Sequence, residues 1–176
     1  ICTTNFNGGK LNAGISRLTS KDLANRLLNG FDRDLPSIAN HWIRRYLWDR
    51  NYSETRNPEV PSAIIETLSH QNFPDVLLGQ DPNFKFTMAR SLYKMITRFI
   101  NEGHGNPTII QPLAPGNFKI EFIGIDNIKL SWTPTEDNLE PSAHPTAYVV
   151  YTAIGNSGYD NGIVVKEPFY NIKTVP

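Results

Sequence analysis

The chain has 176 residues, 39% hydrophobic and 19% charged, and its 17 Lys plus Arg balance 17 Asp plus Glu to a formal net charge of zero. A broad nucleic-acid or anionic-membrane surface needs a basic excess, so neither partner is expected. No stretch approaches the ~18 consecutive apolar residues of a membrane-spanning helix, so no membrane span is expected either. The single cysteine, Cys2, has no internal disulfide partner and is expected at a frayed end. A low cysteine count suits a cytosolic protein and equally a bacterial exported protein that does without bridges. The first residue is Ile1 rather than methionine, so a processed or cut start is expected.

In chain order, Cys2 to Phe6 is compatible with a strand. Ser20 is placed to cap a helix carrying Leu23, Leu27 and Leu28, with Gly30 as its stop. Pro36 suits a first helical turn, and Ile38, Trp42, Ile43, Tyr46 and Leu47 recur after it at helical spacing, which predicts a second helix. Val60 to Glu66 is short, apolar on both faces and partly β-branched, which predicts a strand buried between helices in a parallel or mixed sheet. A short helix is predicted at Pro74 to Leu78, stopped by Gly79. Asp81-Pro82 signals the start of a third long helix, with Phe84, Met88, Leu92, Met95 and Phe99 as its core stripe and Gly103 as its end. These elements predict an α/β unit over 1–103. A linker is expected over 104–117, rich in Pro, Gly and Asn. An all-β unit follows over 118–176, with strands at 118–123, 128–132, 148–151, 163–165 and 170–175.

The predicted strand Val60–Glu66 ends on a carboxylate. Function gathers at the carboxyl ends of strands in α/β sheets. A carboxylate on the rim of an apolar strand is partly desolvated, which raises its pKa toward the range useful for proton transfer. The same side chain would also serve as a helix N-cap or as an ion-pair partner for Arg56, and the pattern alone leaves these readings open.

The stretch R-N-P-E-V-P-S-A-I-I-E-T-L-S-H-Q-N-F-P-D, residues 56–75, resembles the C-terminal signature of zinc-dependent N-acetylmuramoyl-L-alanine amidases. Arg56, Pro61 and Glu66 fall in register with that family's arginine, proline and glutamate. Asn72 and Pro74 match its Asn-Pro helix start with Phe73 intervening, and Asp81-Pro82 matches its last helix. Thr67-Leu68-Ser69-His70 departs from the family's Leu-Gly-Phe, and the longer run W-D-R-N-Y-S-E-T-R … E-T-L-S-H-Q-N-F resembles a divergent branch of large secreted bacterial proteins catalogued as xanthan lyases. The resemblance covers about residues 18–100.

The resemblance implies a secreted, periplasmic or cell-surface hydrolase acting on peptidoglycan or another polysaccharide. Zinc-activated water would attack the amide between the muramic-acid lactyl group and L-alanine, with Glu66 as the catalytic proton shuttle. Arg56, His70 and Asn72 would contact substrate, Arg56 also being able to orient Glu66. The family's zinc ligands, two histidines and a glutamate, would precede Ile1. His41, His70, His104 and His144 show no ligand spacing, so no metal ligand is assigned and the chain alone is expected to be inactive.

N-I-K-L-S-W-T-P-T followed by T-A-Y-V-V-Y-T resembles two strands of a fibronectin type III domain, with Trp132, Tyr148 and Tyr151 at its core positions. The sandwich is expected to be partial, with its missing strands supplied by the rest of a parent protein. Two other functions stay open. One is a xanthan-type lyase using Tyr52, Arg56, His70 and Asn72. The other is a non-catalytic carbohydrate-binding, cell-surface or spacer module.

Overall fold

A computed structural model describes residues 1–173. It divides into two compact units that meet between Thr108 and Ile109, inside the expected linker. The chain contains both helices and antiparallel sheets, a mixed α/β composition.

The first unit is built on two long helices, α1 (Leu18–Asp34) and α4 (Pro82–Gly103). Between them lie one helical turn, α2 (Ser53–Arg56), and a two-turn helix, α3 (Phe73–Gln80). Leu27, Gly30, Phe31 and Asp34 fall at helical spacing on the buried face of α1. On α4, Phe84, Met88 and Met95 of the predicted stripe are buried, whereas Leu92 and Phe99 are only partly buried and Ser91 joins the buried face. Phe31, Leu35, Ala39, Phe84 and Met88 form the core, with Trp42, Leu68, Leu78 and Leu92 packed around it. Each large side chain buried here contributes about 1.5–3 kcal/mol. The Asp81 carboxylate accepts a hydrogen bond from the Asn83 N–H at 2.8 Å and Pro82 occupies the first turn, so α4 begins where its start signal lies.

Two expected helix boundaries differ. Ser20 lies inside α1, and its Oγ accepts the Ser62 N–H at 3.2 Å instead of capping the helix. Gly30 does not end α1, which continues to Asp34. A Cβ built at Gly30 would sit 2.5 Å from Met95 Cγ and 3.1 Å from Ser91 Oγ, so the glycine lets two helices approach closely. Gly30→Ala is therefore expected to destabilise the unit by about 1–2 kcal/mol, because overpacking outweighs the gain in helix propensity. Chemical denaturation of the two variants side by side measures this. A stabilised alanine variant would show that Met95 swings aside freely.

The predicted helix over 36–47 is absent. A 3-10 turn at Leu35–Ser37 is followed by irregular and extended chain to Asn51. Trp42, Arg44, Tyr46 and Trp48 also alternate with period two, and aromatic residues favour extended backbone. Tyr46 and Trp48 stack at 5.5 Å between ring centroids, 21° from parallel. The predicted strand Val60–Glu66 has no ladder, and Cys2–Phe6 is limited to one bridge, Cys2 with Asp49. Pro61 removes one main-chain donor from the first of these segments, and Pro58 lies two residues before it. Cys2 is not frayed but fully buried. Burial, and then the Asp49 charge, push its thiol pKa up.

The second unit contains five strands: β1 (Gly116–Gly124), β2 (Asn127–Thr133), β3 (Tyr148–Val150), β4 (Ile163–Val165) and β5 (Phe169–Lys173). The last two residues of the expected 170–175 strand lie outside the described residues. Strand order is β1-β2-β5 in one antiparallel sheet, and β3 pairs with β4 in another. Leu130, Trp132 and Val150 form the core between them, with Trp132 edge-on to Tyr148 at 5.2 Å. Tyr151, expected in this core, is exposed. Ile120 stands opposite Leu130 and Phe122 opposite Ile128, so both share the core face of the sheet. Both are nevertheless exposed, at 60% and 81%, so this face is bare along β1.

Candidate functional site

The first unit contains a cleft of about 880 Å³. Its floor is apolar, made by Leu27 and Phe31 of α1 and Met88 of α4. Trp42, Tyr46 and Trp48 line it from the extended segment, and Glu66 and Asn72 line it from the loop that leads into α3. Polar side chains, His41, Arg45 and Asp75 among them, also line it, so the cleft joins an apolar floor to a polar rim, a form that ligand sites take.

Glu66 is exposed, so water reaches a carboxylate that the sequence places on a partly dry strand end. No side chain among the described residues bonds to it. Its charge acts on the Ile1 ammonium, whose pKa is pushed down by burial and back up by Cys2 and Glu66. The loop beyond it is fixed locally. The Ser69 N–H donates to Asp75 Oδ2 at 2.8 Å, and the Asn72 N–H donates to the Ser69 carbonyl at 3.2 Å. Asn72 precedes α3 without capping it through its side chain, which leaves the carboxamide available at the cleft.

The structure brings together two of the four residues expected to form the site. Arg56 does not orient Glu66. It is half-buried elsewhere, with Nε 3.4 Å from Asn57 Oδ1, Nη1 3.5 Å from Asn51 Oδ1, and its guanidinium over the Phe6 ring at 5.4 Å. His70 is exposed in the turn before α3 and does not line the cleft. Tyr52 likewise lies outside it, so the lyase constellation is not assembled. Among the described residues no three His, Cys, Asp or Glu side chains gather as a metal site requires. The resemblance places the zinc ligands before Ile1, so these residues do not test it, and no chemical step is routed through a metal.

The sequence reading missed the aromatic wall and a buried arginine. The wall was hidden because its residues satisfy both helical and extended periods. Arg17 is fully buried and faces no carboxylate; its guanidinium donates to four main-chain carbonyls. No pattern in sequence distinguishes such an arginine from a solvated one.

The chain matches no family model, no curated protein and no solved structure.

Proposed function

We propose that the first unit carries the acid–base carboxylate and part of the binding cleft of a secreted hydrolase acting on peptidoglycan or a related polysaccharide. The second unit is proposed as a fibronectin type III-like spacer. The observation that carries the first reading is Glu66: a carboxylate with no side-chain partner, at the edge of a roomy cleft with an apolar floor and an aromatic wall. Such a group accepts a proton from attacking water and returns it to a leaving amine. The aromatic faces of Trp42 and Trp48 suit the C–H faces of a sugar ring or an alanyl methyl. The Asn72 carboxamide both donates and accepts, as an amide-bearing ligand requires. For the second unit, the support is the β1-β2-β5 sheet facing a separate β3-β4 pair, with Trp132 between them.

N-acetylmuramyl-L-alanyl-D-isoglutamine is expected to quench the fluorescence of Trp42 and Trp48. Glu66→Gln is expected to weaken its binding about tenfold, through loss of a charge-assisted hydrogen bond, with thermal stability unchanged. Equal affinity for both proteins would remove Glu66 from the site.

A non-catalytic binding module is the second reading. It is favoured by the aromatic wall of Trp42, Tyr46 and Trp48 along the cleft, which suits stacking on a sugar ring without any chemistry. It predicts the same quenching without dependence on the Glu66 charge.

A further inference from the structure

The chain contains three Asn-Gly pairs, Asn7-Gly8, Asn29-Gly30 and Asn161-Gly162. Such a pair can react with itself. The glycine amide nitrogen attacks the asparagine Cγ and closes a cyclic imide. Glycine hinders that closure least, because it has no Cβ. The reaction needs an exposed asparagine, a glycine N–H outside any hydrogen bond, and room around the glycine.

Two of the pairs lack these conditions. Gly30 is buried within the helical ladder of α1, Met95 fills the space beside it, and Asn29 Oδ1 accepts Arg44 Nη1 at 3.1 Å. The Gly162 N–H donates to Asp160 Oδ1 at 2.9 Å, and a Cβ built at Gly162 would lie 2.6 Å from Val149 Cγ1. Asn7-Gly8 meets all three. Both residues are exposed, the Gly8 N–H has no hydrogen-bond partner among the described residues, and a Cβ built at Gly8 would meet nothing within 4 Å.

This pair sits in a turn that buried Arg17 clamps. The Phe6 carbonyl accepts the Gly9 N–H at 3.1 Å, and the Asn7 carbonyl accepts the Lys10 N–H at 3.2 Å. The Arg17 N–H donates to the Gly9 carbonyl at 2.8 Å. Arg17 Nε reaches the carbonyls of Phe6 and Lys10, and its guanidinium lies over the Phe6 ring at 5.2 Å. The turn is therefore one wall of the corner that Arg17 closes.

We propose that Asn7 is a self-modification site whose product opens this corner. The Gly8 nitrogen gives up its proton and bonds to Asn7 Cγ. The Cγ–N bond of the carboxamide breaks, and ammonia leaves with that proton. Water then adds to one of the two imide carbonyls. Addition at Cγ restores the original main chain with an aspartyl side chain. Addition at the main-chain carbon leaves the peptide link running through Cβ and Cγ, an isoaspartyl link one methylene longer. Net, one water is consumed and one ammonia released. The longer link between Phe6 and Gly8 cannot keep the carbonyls of Phe6, Gly9 and Lys10 all on Arg17. The proposal does not rest on the hydrolase reading, since none of these groups belongs to the cleft.

The full chain is aged in mildly alkaline buffer and its peptides are mapped by mass spectrometry with electron-transfer fragmentation, which separates isoaspartyl from aspartyl. Asn7 is expected to convert at least about tenfold faster than Asn29 or Asn161, which must first open a hydrogen-bonded element. In the isoaspartyl form, isolated by ion exchange, hydrogen exchange at the Lys10 and Arg17 amides should rise about tenfold, while a freshly prepared Asn7→Asp chain exchanges like the native one. Conversion of Asn29 or Asn161 as fast as Asn7 overturns the proposal. So does an isoaspartyl chain with native exchange at Arg17. Equally raised exchange in the Asn7→Asp chain also overturns it, by assigning the opening to charge rather than to the lengthened link.

Discussion

Replacing Asp34 with Asn is expected to destabilise the first unit by about 3–5 kcal/mol, enough to lower its melting temperature by more than about 10 °C. Asp34 is buried between α1 and α4, and the equally buried Lys94 donates to its Oδ2 at 3.0 Å. Arg33 adds a second contact, Nε to Asp34 Oδ1 at 2.8 Å. Removing the negative charge leaves the Lys94 ammonium without its 3.0 Å counter-ion in a site closed to water, and that is the costly step. Burial pushes the Asp34 pKa up, but hydrogen bonds from Arg33 and Lys94 push it further down, and the net direction is down. A carboxyl with a depressed folded pKa contributes stability that is complete above the ordinary carboxylate range and is lost as pH falls through the folded value. Stability of the native chain should therefore fall below about pH 4, and that slope should shrink in the Asp34→Asn variant. Urea titrations across pH 2.5–7 separate the outcomes. A double variant, Asp34→Leu with Lys94→Met, should recover most of the loss, because an apolar pair of similar volume needs no counter-charge. A single variant as stable as the native chain would show that the pair is hydrated and contributes little.

Arg17→Met is expected to cost about 3 kcal/mol or more and to loosen the corner formed by α2 and the N-terminal loop. Arg17 Nε donates to the carbonyls of Phe6 at 3.0 Å and Lys10 at 2.9 Å. Its Nη1 reaches Thr55 at 3.1 Å and its Nη2 reaches Arg56 at 2.7 Å. Methionine fills similar volume but leaves four carbonyls without this donor, that of Thr55 buried and those of Phe6, Lys10 and Arg56 partly buried. The same corner holds Thr3, whose Oγ1 is 2.6 Å from that of buried Thr55. Lysine keeps the charge but cannot reach four divergent acceptors from one nitrogen, so Arg17→Lys should recover only part of the loss. Hydrogen exchange at Asn57 and Arg56, whose N–H groups close the single turn of α2, reads the local effect. Unchanged exchange there would mean that the corner is held by the threonines alone.

What was legible in the sequence follows from how local each signal is. The capped start of α4 and the buried Phe84, Met88 and Met95 of its predicted stripe are signalled within one element, and the structure reproduces them, while Leu92 and Phe99 are only partly buried. The five strands of the second unit are marked by alternation and turn residues, which also act at short range. The 36–47 segment failed because its aromatic residues fit two periods, and only packing of Trp42 against the core chooses between them. Gly30 was misread because a helix stop and a close helix crossing both call for glycine, and the crossing depends on Met95, 65 positions away. At the site, Glu66 was singled out as the end of a strand that the structure does not form, and Asn72 by the resemblance of its motif; both nevertheless line the cleft. Arg56 and His70 sit in the same motif but face elsewhere, since spacing alone does not fix side-chain direction in irregular chain. The Asp34–Lys94 pair was invisible because its members are 60 residues apart.

On the proposed function, Glu66 meets a ligand bound in the cleft that it lines. Carbon-detected NMR of the Glu66 carboxyl during titration with N-acetylmuramyl-L-alanyl-D-isoglutamine tests it most directly. The carboxyl resonance is expected to shift in step with the indole N–H signals of Trp42 and Trp48, along one binding curve. A Glu66 signal that stays fixed while those indoles move, or shifts confined to the second unit, would contradict it.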